Sequence, residues 1–163
     1  MLKTRLLLVL LPLLLTLGGC DNKDDDPDNP VDALPPITQS GAQTLGCLID
    51  GEPFVPDSFG SGRPSAFYQF VDGAFTLGMS GSSRNGGSLT SIDVGALDIE
   101  SLNEGTFLLK TRNSGSFDGE YRLGGGIDEQ AGTTDTNPGT LTITRFDQEV
   151  GIISGVFEFT AVG

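Results

Sequence analysis

Phe117, Gly119, Tyr121 and Leu123 alternate with Asp118, Glu120 and Arg122. A period of two suits a strand with one buried face and cannot form the apolar stripe of a helix. The pattern recurs in Phe75, Leu77 and Met79 against Thr76, Gly78 and Ser80. It recurs again in Leu141 and Ile143 against Thr140, Thr142 and Thr144, and in Phe157, Phe159 and Ala161 against Val156, Glu158, Thr160 and Val162. Asp50-Gly51 and Asp72-Gly73 sit between such runs. A type I′ hairpin needs positive φ at both central residues, which Asp-Gly tolerates, so both pairs predict tight hairpins. Pro53 and Pro56 flank Phe54-Val55 and predict a short edge strand. Ile92 and Val94 fall on one face and Leu97 and Ile99 on the other, which predicts a β-bulge across Gly95-Ala96. Ser82 to Ser88 reads as a flexible turn and Gly124 to Asn137 as a long polar loop. No ten-residue window forms an amphipathic helix. Eight or nine short strands over 44–163 predict a single all-β domain, an antiparallel β-sandwich or barrel-like fold.

The first residues follow another grammar. Lys3 and Arg5 precede an apolar run from Leu6 to Leu17, interrupted by Pro12. That run is shorter than the roughly 20 residues a spanning helix needs, and it reads as the core of an export signal. It ends in Leu17-Gly18-Gly19-Cys20, which resembles the bacterial lipoprotein signal. The resemblance implies that residues 1–19 are a signal peptide cleaved between Gly19 and Cys20, and that the Cys20 thiol carries lipid. Two or more acyl chains on one cysteine hold a protein stably to a membrane. Residues 20–43 then form a linker. Six Asp between Asp21 and Asp32 repel one another, and Pro27 and Pro30 block regular structure, so this part is expected to be a disordered acidic tether. Asn22-Lys23-Asp24-Asp25 resembles the export address of surface-exposed lipoproteins of Bacteroidetes. It implies outer-membrane attachment on the outward face, with Lys23, Asp24 and Asp25 as the export signal.

The formal charge of the chain is −13. Loss of Lys3 and Arg5 with the signal peptide takes it to −15. A nucleic-acid or anionic-lipid partner needs a basic patch, so both classes are disfavoured.

Catalytic chemistry is narrowed by the absence of histidine. There is no Ser-His-Asp triad, no Cys-His pair and no His-ligated zinc. With Cys20 given to lipid, Cys47 is a lone thiol, read as a small apolar residue on a strand. Asp118 and Glu120 lie on one strand face, roughly 6.5–7 Å apart at Cα. They are the candidate pair for a carboxylate-only hydrolase, although their alternation with Phe117 and Tyr121 points them to solvent. Asp128, Glu129 and Asp135 lie in the long polar loop without the ordered spacing of a calcium loop. Phe67, Tyr68 and Phe70 are candidates for a sugar-stacking face, against the plainer reading that they are core. No metal site and no cofactor is expected.

Three stretches resemble a family of Bacteroidetes lipoproteins of unknown function, the DUF6252-type group. They are Leu45-Gly46-Cys47-Leu48-Ile49-Asp50-Gly51-Glu52-Pro53-Phe54, and Gly139 to Arg145 with Ile153 to Phe159. The resemblance implies a β domain behind a lipid anchor and a further closing segment past the last strand. It supplies no catalytic residues. The expected function is a non-catalytic, surface-exposed binding module for a glycan, a protein or an envelope component. The alternatives are a structural envelope lipoprotein and a carboxylate-only hydrolase.

Overall fold

A computed structural model describes residues 29–85, 88–124 and 130–163. Cys20 and the tether to Asp28 therefore lie outside the described residues. Within them the protein is all-β, as expected, with two single-turn 3₁₀ segments at Pro30–Ala33 and Gly60–Gly62. Ten strands run in chain order: β1 Cys47–Ile49, β2 Glu52–Phe54, β3 Ser65–Val71, β4 Ala74–Asn85, β5 Ser88–Ile99, β6 Gly105–Leu109, β7 Ser116–Leu123, β8 Gln130–Gly132, β9 Gly139–Asp147 and β10 Ile152–Glu158.

β1 and β2 form a separate hairpin. The other eight strands form one curled sheet, a half-barrel, in the order β10-β9-β6-β7-β5-β4-β3, with β8 attached to β7. Both hairpin predictions hold at the level of dihedrals. Asp50 and Gly51 have φ of 51° and 89°, and Asp72 and Gly73 have 51° and 98°. The sheet is mixed rather than purely antiparallel, because β6 meets β7 in parallel at Leu109 and Phe117.

That contact marks a fork. One edge of β7 pairs with β5 from Ser116 to Leu123. Its other edge pairs with β6 at Phe117 and with β8 over Glu120–Arg122. Where β6 leaves and β8 joins, Thr133 fills the gap. Its Oγ1 accepts from the Gly119 N–H at 3.0 Å and donates to the Lys110 carbonyl at 2.6 Å. β8 falls inside the stretch read from the sequence as loop. Its three residues, Gln-Ala-Gly, are too short and too polar to show a period.

Rows of side chains cross the inner face of the curl. Leu77 lies opposite Ala96 and Ala96 opposite Phe117. Met79, Val94 and Gly119 form the next row, and Gly81, Ile92 and Tyr121 the one after. The core gathers Leu77, Val94, Ala96, Ile99, Leu102, Leu109, Leu141 and Ile143. Each large aliphatic so buried contributes about 1.5–3 kcal/mol relative to exposure. Tyr68 stacks on Phe75 with ring centroids 4.6 Å apart, and Phe107 stacks on Phe117 at 4.3 Å.

Three expectations need correction. The bulge lies at Leu97–Asp98, not Gly95–Ala96. Phe75 pairs with Ile99 and Leu77 with Ala96, so β5 carries one extra residue there, and Asp98 adopts φ of 52°. The insertion returns Ile99 to the buried face beside Ile92, Val94 and Ala96. Ser82 to Asn85 continue β4 rather than belonging to a turn, paired with Ser91 to Ser88. The last strand starts at Ile152 and ends at Glu158. Phe159 then leaves the sheet and packs over two glycines. A Cβ at Gly119 would sit 2.8 Å from its ring, and one at Gly139 2.4 Å from its Cβ.

Candidate functional site

Two concavities are candidates, one on each side of the sheet. The first is inside the curl. Residues 33–43, read from the sequence as a continuation of the linker, belong to a loop laid across the open side of the half-barrel. Its neck is at Pro35 and Gly46, where a Cβ on Gly46 would meet Pro35 at 2.5 Å. Its tip reaches β9, with Gln39 Nε2 donating to the Thr144 carbonyl at 3.2 Å and Arg145 Nη1 donating to the Gln39 carbonyl at 2.8 Å. Gly41, at φ of 72°, lies against Ile152. At the other side Leu45 and Pro56 cover Gly81.

Between this loop and the sheet runs a groove of about 1660 Å³. That exceeds the 300–1,000 Å³ of ordinary small-molecule pockets, so it is an open channel rather than an enclosed cavity. Its floor is sealed, since Val94, Leu141 and Ile143 are each 2% exposed. Its walls include Ile37, Met79, Val150, Ile152, Ile153 and Phe157. Among the described residues the charged ones lining it are Asp32, Asp50 and Glu158, with no lysine or arginine. The groove therefore suits apolar surface that is neutral or cationic. Cys47 also lines it, on β1 and half-buried. Burial pushes its thiol up to about 11, so it is a protonated, unreactive thiol at neutral pH.

The second concavity lies on the outer face at the fork. Asp118 and Glu120 share that face, as the spacing predicts, but they do not point to solvent. Both are 6% exposed. Lines of alternation cannot reveal this, because the cover comes from elsewhere. Arg112 approaches Asp118 Oδ2 at 3.6 Å, and Arg122 Nε donates to Glu120 Oε1. Arg122 also reaches Asp93 Oδ2 at 3.9 Å. Asp93 lies directly opposite Glu120 on β5. Arg112, Asp118, Glu120, Gln130 and Thr133 line a cleft of about 400 Å³. Sequence reasoning missed Asp93, Arg112 and Arg122 as members. Asp93 and Arg122 become legible once β5 and β7 are placed in register, whereas Arg112 is brought in by a loop.

Burial pushes the Asp118 carboxyl above its ordinary 3.8, opposed by Arg112 and reinforced by Glu120 and Asp93. Burial raises Asp93 too, opposed by Arg122 and the Ser91 hydroxyl and reinforced by Glu120. A carboxyl whose folded pKa is raised binds its proton more tightly folded than unfolded. Stability then falls as pH rises through the window from 3.8 up to the raised value, and the full cost is present at neutral pH. Asp118→Asn is expected to gain stability over the parent at pH 7 and to lose that advantage as pH falls through this window. Urea unfolding midpoints of both proteins across this range check it. An identical pH slope in the two would show that Asp118 is not the source.

The remaining sequence candidates scatter. Gly19, Cys20, Lys23, Asp24, Asp25, Asp128 and Glu129 lie outside the described residues. Asp135 is exposed, with its backbone N–H donating to Thr111 Oγ1 at 3.1 Å. Among the described residues no cluster of three or more acidic or cysteine side chains has metal-binding geometry. The aromatic trio does not form one face. Tyr68 packs on the core and its hydroxyl accepts from the Leu102 N–H at 3.0 Å. Phe67 lies over Gly78 on the outer face, and Phe70, 64% exposed, meets Phe75 edge-on with ring centroids 5.0 Å apart.

Comparison with known proteins finds no matching protein family, no similar curated protein and no similar solved structure.

Proposed function

We propose that the chain is a lipid-anchored, surface-exposed outer-membrane protein acting as a non-catalytic binding module, related to the DUF6252-type lipoproteins it resembles. The groove between the Pro35–Gly46 loop and the half-barrel carries the binding part of this reading. It is wide, walled by aliphatic and aromatic side chains, and acidic where charged. Its partner presents neutral or cationic apolar surface, as a peptide segment or the apolar face of an envelope component does. The outer cleft supports the hydrolase alternative less well, because Asp118 and Glu120 each already face an arginine.

A neutral, environment-sensitive dye such as Nile red serves as the probe. It is expected to bind the full chain and to brighten. Ile37→Asp with Val150→Asp should weaken that binding at least tenfold. Both residues line the groove and are 79% and 63% exposed, so the fold tolerates the change. Absence of dye binding, or binding untouched by the pair, would remove the groove from the proposal. The anchor is tested separately. Cys20→Ser should release the protein from membranes, and Ala at Lys23, Asp24 and Asp25 should leave it anchored but shielded from external protease.

A further inference from the structure

β3 is an end strand of the large sheet. Its sequence, Ser-Ala-Phe-Tyr-Gln-Phe-Val, holds no charge and no proline, and its pairing with β4 is unbroken from Ser65↔Ser80 to Val71↔Ala74. Natural sheets blunt such edges with charge, proline or bulges, and this edge has none of them.

The two-residue Asp72-Gly73 turn fixes which backbone groups are free. In a type I′ hairpin the residues flanking the turn form a hydrogen-bonded pair, and such pairs alternate along the ladder. Val71, Gln69, Phe67 and Ser65 therefore bond to β4. Ala66, Tyr68 and Phe70 aim their N–H and C=O groups outward, and no described backbone group bonds to them. Around these groups Phe67, Phe70 and Val71 are 47%, 64% and 47% exposed.

From this geometry we infer that β3 pairs antiparallel with β3 of a second copy of this chain, joining two half-barrels into one continuous sheet. The strand is self-complementary about Tyr68. With Tyr68 opposite its own copy, the bulky Phe70 faces the small Ala66 of the partner copy, and Phe67 faces Gln69. All three outward-facing residues then find partners. Centring the pair on Phe67 instead would set Phe70 opposite Pro64, which has no N–H to give. The charge distribution points the same way. In a chain of net charge −13, the strip from Ser65 to Val71 brings no like charges face to face. An isologous contact of this kind closes on itself and does not propagate.

The test uses the full chain in detergent, with mass measured by light scattering over a concentration series. A rise to twice the chain mass is expected. Phe70→Lys should raise the dissociation constant at least tenfold, while the loss of its edge contact with Phe75, at ring centroids 5.0 Å apart, lowers the thermal midpoint of the monomer only slightly because the side chain is 64% exposed. A second variant, Phe67→Cys with Gln69→Cys, should give a disulfide-linked dimer on mild oxidation, because these positions face each other across the axis. A single-chain mass at every concentration would overturn the inference. So would a dimer insensitive to Phe70→Lys, the absence of the cross-link, or saturation of the edge by an extended peptide with no self-association.

Discussion

Leu109→Ala is expected to destabilise the domain by about 2–5 kcal/mol, the range for removing most of a fully buried leucine. Leu109 is 0% exposed. It ends β6, lies opposite Gly139 on β9, and makes the parallel contact with Phe117 on β7. Its side chain thus fills the place where the two halves of the curl are joined. Gly139 offers no side chain to collapse into the space, and Phe159 is already seated over that glycine. The hole therefore stays open, which puts the cost in the upper part of the range. Denaturant unfolding with a fixed m-value measures it. Leu109→Met, similar in volume, should cost less than about 1.5 kcal/mol. A loss under 1 kcal/mol for the alanine variant would mean that the join between β6 and β7 is not packed as described.

Arg122→Met is expected to cost about 2–3 kcal/mol. Removing one partner of a buried ion pair typically costs 3–5 kcal/mol, because the other charge is left uncompensated. Glu120 is almost wholly buried, at 7% side-chain exposure, but Arg122 is 42% exposed, so water screens part of the interaction. Arg122 faces Asp93 as well, and its loss leaves two carboxylates side by side across β5 and β7. The charge account makes a second demand. In Glu120→Gln with Arg122→Met the orphaned carboxylate is gone, so the double variant should be more stable than Arg122→Met alone. Strictly additive losses would assign the role of Arg122 to its aliphatic stem packing on the sheet.

The hairpins at Asp50-Gly51 and Asp72-Gly73 were legible because their turn chemistry is local and leaves one geometry. The inward rows were legible from alternation. The bulge lies two residues past Gly95-Ala96, the break the sequence suggests, because Asp98 adopts the left-handed conformation that asparagine and aspartate tolerate better than most residues. β8 was invisible because its order comes from β7 beside it, not from its own residues. The carboxylates at 118 and 120 are legible as a pair, but their burial is not, since Arg112 reaches Asp118 from the loop before β7 and Thr133 lines the same cleft from just past β8. The groove was hidden for a similar reason. Nothing in the residues from Ala33 to Gln43 marks them as a cover for the half-barrel, because they dock through backbone carbonyls and glycine rather than through an apolar stripe.

The docking of that loop also sets a length. If all of residues 20–43 were free, the leash from Cys20 would reach about 80 Å at full extension. The chain instead joins the body by Pro30–Ala33, which packs on the β1–β2 hairpin. From Cys20 to Asn29 the same arithmetic leaves about 30 Å. An acylated Cys20 would then hold the domain within about one bilayer thickness of the lipid surface, close enough for neighbouring copies to meet side by side but too short for the domain to search far above the membrane.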